Sequence, residues 1–155
     1  MTALEKAVQA ANRAHKRLLR TFEGVPDDHL EWKPTENAKS ARQIAAHVAV
    51  ANRGFGQMLK GEYEAADVDA FLTRLARLEN RLPDRAKVLD ALQGSHAGLL
   101  EIIQELSSEQ LDGECLTPRG IMPVMAMIEY IPIHTHSHAA QIDYLQTCWG
   151  DMTFR

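Results

Sequence analysis

The apolar residues of this chain return every three or four positions along four long runs, and that spacing constrains its fold more than any other feature. A helix turning 3.6 residues at a time gathers such positions on one face. The first run is Leu4, Val8, Ala11, His15, Leu18 or Leu19, and Phe22, and "EGVPDD" ends it with Gly24 and Pro26. A loop, "HLEWKPTENAKS", follows. Ser40-Ala-Arg-Gln43 is then a capping box that opens a second helix reaching about Lys60. Its apolar stripe is Ile44, His47, Val48, Ala51, Phe55 and Met58. From Asp84 a third helix carries Leu89, Leu92, His96, Leu99, Ile103 and Leu106, and Pro123 suits the first turn of a fourth that runs to about Trp149.

Four amphipathic helices in 155 residues predict an all-α four-helix bundle, one domain over residues 1–155. The connection between the second and third helices, Gly61 to Pro83, is too long for a tight hairpin. It holds a short extra helix within "DAFLTRLARLEN" and can cross the bundle. "SSEQLDGECLTPRG" is expected to be a polar connector.

Composition narrows the partners. With 17 Lys plus Arg against 21 Asp plus Glu, the chain lacks the basic footprint that neutralises a phosphate backbone, so nucleic acid is not expected as a partner. No stretch approaches the roughly 18 apolar residues of a membrane span, and the charged amphipathic N-terminus has no apolar core of a signal peptide. Cys115 and Cys148 have no framework spacing, which suits a reducing cytoplasm. The expectation is a soluble cytoplasmic protein with no membrane partner.

Chemistry concentrates in "IPIHTHSHAAQI", where histidines stand at 134, 136 and 138. On a strand all three rings would share a face. The flanking Met, Ala, Gln and Leu, without sustained alternation, favour a helix instead. At about 100° per residue His134 and His138 lie roughly 40° apart, while His136 is about 200° from His134 and turns outward. Met127, Ile131, His134, His138, Ile142 and Leu145 then form one inward stripe, with Gln141 at its border. Pro132 removes a backbone donor and clashes one turn back, so a kink beside His134 is expected.

Two imidazoles at i and i+4 can converge on a transition metal, but two ligands do not make a site. His47, polar on the apolar stripe of the second helix, leads as the third, with His15 and His96 as rivals. The competing reading is that these are hydrogen-bonded core histidines, since an inward imidazole without partners is unfavourable by roughly 1 to 3 kcal/mol. His29 and His136 are expected to face solvent. Thr135 stands where a zincin HExxH would have its glutamate, and no carboxylate base is evident. Any reaction would then depend on the metal, acting on water or on a thiol.

"LEWKP" before the second helix, "SARQIAAHV" within it and "HTHSHAAQI" in the last helix together resemble the DinB superfamily of DinB/YfiT-like metalloproteins, over Leu4 to Leu145. The resemblance implies a metal triad of His47, His134 and His138, with His96 and Gln141 as possible pocket or supporting residues. Many members have Gly-Gln after the last histidine; Ala140-Gln141 keeps only the glutamine. Trp32 and Pro34 match a loop signature read as packing. The resemblance further implies one divalent transition metal, zinc, nickel or iron, and a homodimer. Two activities follow from it, a transferase using a low-molecular-weight thiol or a hydrolase, each on a small-molecule substrate. A non-catalytic metal- or ligand-binding stress-response bundle and a plain interaction module are the alternatives.

Overall fold

The computed structural model describes residues 1–64 and 67–153, so residues 65 and 66 of the expected 61–83 connection lie outside it. Four long helices form the bundle: α1 (Ala3–Glu23), α2 (Ala41–Leu59), α4 (Arg85–Glu105) and α6 (Val124–Cys148). Between them come a single 3-10 turn (Asp27–His29), α3 (Val68–Glu79), α5 (Ser108–Leu111) and two strands, β1 (Glu114–Thr117) and β2 (Gly120–Pro123). The expected bundle and its extra helix are present. No helix among the described residues is long and apolar enough to cross a membrane.

Local chemistry sets the helix ends. Thr2 and Ser40 both build complete capping boxes, with Glu5 and Gln43 reaching back to the cap, and Asp84 caps α4 through the Lys87 N–H. α6 runs unbroken through Pro132, which is buried. Both cysteines are free.

The stretch expected to be a polar connector is more ordered than that. Ser107 and Gln110 form another capping box that opens α5, and β1 pairs antiparallel with β2, Glu114 opposite Pro123 and Thr117 opposite Gly120. Cys115 and Thr117 alternate inward along β1, and Gly120 takes φ 105°, which side chains resist. The chain reverses over Pro118 and Arg119. This hairpin is an addition to an all-α frame.

Who packs on whom follows from the core. Leu18 and Phe22 of α1 meet Ala139, Ile142 and Leu145 of α6, while Ala7 and Ala11 join the cluster of Met127, Ile128 and Ile131. α1 and α6 therefore run in the same direction. α2 and α4 do so too, since Ala41, Ile44 and Ala45 share a cluster with Val88 and Leu92, and Phe55 and Leu59 share one with Leu99 and Ile103. The two parallel pairs pack antiparallel to each other: α1 ends where α2 begins and α4 ends where α6 begins, so only the connection from α2 to α4 travels the length of the molecule, the crossing that its length allowed. Between the two apolar clusters lies a polar waist holding Asn12, His15, Asn52, Ser95, His96, His134 and Thr135. Trp32 packs on the first cluster and meets the Trp149 ring edge-on at 5.5 Å.

Candidate metal centre

The cap at Ser40 fixes the register of α2, so that His47, two turns later, faces α6. There it meets both histidines of the inward pair. His134 Nε2 lies 3.3 Å from His47 Nε2 and 3.2 Å from His138 Nε2. Among the described residues these three form the only group of histidine, cysteine or acidic side chains able to hold a metal, with donor atoms all within 4.8 Å of one another. Nitrogens bound to one tetrahedral metal at about 2.0 Å would be about 3.3 Å apart, so the spacing fits such a donor set.

The outer nitrogens decide which protons are present. His47 Nδ1 donates to Glu79 Oε1 at 2.8 Å, and His138 Nδ1 donates to Gln141 Oε1 at 2.7 Å. With those protons committed, the neutral rings present bare Nε2 atoms to His134. Neutral His134 could place one proton between itself and one neighbour, leaving lone pairs facing across the other contact. Its own Nδ1 is buried and has no partner. A cation among the three nitrogens would relieve that frustration.

Burial, then the neighbouring His138 and His47, then Arg119 push the His134 pKa down to about 3. His138 is lowered as well, chiefly by burial. For Glu79 burial acts upward, but hydrogen bonds from His47 and Lys39 outweigh it and hold the carboxyl below its usual range. Lys39 Nζ sits 2.8 Å from Glu79 Oε2. The second carboxylate oxygen is therefore engaged too.

The sequence offered no carboxylate base, and the structure adds a carboxylate of another kind, Glu79. It comes from the end of α3, 32 residues from His47, and only the fold brings the two together. It orients His47 rather than acting as a free base. His96 is placed elsewhere: it stacks on His15 with centroids 4.0 Å apart and contacts Asn12 Oδ1 at 3.0 Å. Neither of these rivals joins the triad. His29 and His136, expected to face solvent, are both half-buried, His29 against Trp149 and His136 against Arg17.

Two cavities reach the triad. One, about 330 Å³, lies between α2, α3, α6 and the hairpin and is lined by His47 and His134 with mostly apolar neighbours. The other, about 590 Å³, is lined by His47, His138, Lys39, Gln141 and Tyr144. Phe55 and Tyr130 meet the His134 ring at 5.1 and 5.9 Å and close it off from the far end of the bundle.

Solved structures of the same fold include a mycothiol-dependent maleylpyruvate isomerase, 20% identical with a TM-score of 0.75 over 90% of this chain and 60% of that one. The present chain thus spans less than two thirds of that protein. YfiT from Bacillus subtilis, described as a "probable metal-dependent hydrolase with an unusual four-helix bundle topology", is 22% identical with a TM-score of 0.71 over 95% of this chain and 87% of that one. The sibling lethal factor precursor DfsB is 15% identical, with a TM-score of 0.76 over 97% and 98% of the two chains. At these identities the likeness is one of fold. No curated protein is a significant sequence match. A family model does match, across residues 10–142 and so across most of the bundle described above, and by it the chain belongs to the DinB superfamily.

Proposed function

We propose that His47, His134 and His138 bind one divalent transition metal, and that the protein uses it to act on a small molecule, either as a thiol-dependent transferase or as a hydrolase. The observation that carries this reading is the convergence of three Nε2 atoms, two of them bared because Glu79 and Gln141 hold the ring protons of His47 and His138. Membership of the DinB superfamily supports it, as do fold relatives described as metal-dependent and as mycothiol-dependent. Three neutral imidazoles suit zinc, nickel or iron and leave coordination positions open.

A metal held there would supply Lewis acidity and would favour the deprotonated form of a coordinated water or thiol at neutral pH. The chain's own contribution is positioning. Glu79 and Gln141 fix the tautomer and the aim of His47 and His138, and Lys39 keeps Glu79 charged. The apolar walls along α2, α3 and α6 give one side of the triad a mostly apolar surrounding. Two separate cavities meeting at the triad favour a reaction of two partners, a thiol and an electrophile, over a reaction with water alone.

Elemental analysis of tag-free protein beside His47→Ala and His134→Ala tests the metal. About one transition metal per chain, lost in both variants while the helical circular dichroism persists, is the expected result. Protein that takes up neither zinc, nickel, iron nor manganese would end the proposal.

A further inference from the structure

We propose that the apolar cavity beside the triad receives a small molecule with an apolar body and a single anionic head, and that Arg119 holds the head. This deepens the reading of the three histidines as a metal centre and rests on it. At about 330 Å³ the cavity has the volume of a small-molecule site, at the lower end of a range of roughly 300 to 1,000 Å³. Val50, Phe55, Met58, Leu75, Met122 and Met127 are among its walls, and no carboxylate lines it among the described residues. Apart from the two histidines, Arg119 is the only side chain among the described lining residues that can carry a positive charge.

Arg119 is held in place from both ends. Its backbone N–H donates to Thr117 Oγ1 at 3.1 Å, and that hydroxyl in turn donates to the Gly120 carbonyl at 2.8 Å, which stiffens the turn of the hairpin. Its guanidinium lies 5.7 Å from the centroid of Tyr130, whose ring also meets His134. No carboxylate pairs with it among the described residues. A guanidinium presents a planar fork that matches a carboxylate or a phosphate through two parallel hydrogen bonds. An unpaired fork at the mouth of an apolar chamber therefore selects an amphipathic anion, and places the remainder of that molecule along the wall that ends at His134.

The test titrates metal-free and zinc-loaded protein with 4-phenylbutyrate, 4-phenylbutanamide and 4-phenylbutyl phosphate, by calorimetry and by amide NMR shifts. In metal-free protein at least one anion is expected to bind tenfold or more tighter than the neutral amide. Arg119→Gln should erase that preference, Arg119→Lys should keep part of it, and Arg20→Gln on α1 should leave it unchanged. The ranking of carboxylate against phosphate names the head group. Zinc content measured on the same samples reports on the triad separately, so a failed metal centre and a failed anion site give different results. Equal binding of anion and amide, a preference that survives Arg119→Gln, or no binding by any of the three probes would each overturn the assignment.

Discussion

His134 is the residue on which the centre turns, because its Nε2 faces both other histidines and its Nδ1 is buried without a partner. In metal-free protein that arrangement is a cost to folding. His134→Leu is therefore expected to abolish zinc uptake yet raise the stability of the metal-free protein by about 1 to 2 kcal/mol, measured by urea denaturation after chelation. A variant less stable than the parent would show that the ring is satisfied as it stands. Glu79→Ala removes the acceptor of the His47 Nδ1 proton and should weaken zinc affinity by roughly 10 to 100-fold with the fold retained, and Glu79→Gln should recover part of the loss. A chelator competition titration separates these cases. The three histidines were legible because each sits on a helix whose phase the sequence states: the Ser40 cap sets the phase of α2, and the i, i+4 spacing sets that of α6. Glu79 was not, since no local pattern marks a carboxylate at the end of one helix as the partner of an imidazole 32 residues away.

Among the elements, α1 and α4 meet through the stacked His15 and His96, both buried, with Asn12 beside them. Burial and then the charge of His96 lower the His15 pKa to about 4. A histidine whose folded value lies below its unfolded value of about 6.5 binds its proton first in the unfolded chain. Stability from this residue is thus complete above about pH 6.5 and declines as pH falls towards 4, by up to about 1.4 kcal/mol per pH unit. Urea midpoints of metal-free protein measured from pH 7.5 to 4.5 should fall, and should fall less steeply in His15→Gln. Equal slopes in the two proteins would remove His15 as the cause. The long helices were legible from periodicity and caps, and α3 from its amphipathic piece. The hairpin was not. Its strands are four residues each, too short for alternation to stand out, and Pro118 and Gly120 at its turn mark a polar connector equally well.

At the scale of the whole molecule, the bundle was legible but its wiring was not. Apolar stripes say that four helices bury a common core, and they are silent on which helix lies beside which. The structure places the first bundle helix along the last, and the second along the third, with each pair parallel. The histidine triad then falls on the contact between α2 and α6, near the polar waist that divides the core. Such a pairing leaves an imprint on synthesis. α1 packs chiefly on α6, and Leu18 and Phe22 share a cluster with Ala139, Ile142 and Leu145, more than 110 residues later in the chain. At about 5 to 20 residues per second, on the order of ten seconds pass between the appearance of one face and that of the other at the ribosome. For that interval α2 and α4 offer the apolar stripe of α1 only part of its cover, and the helix that covers most of it has yet to emerge.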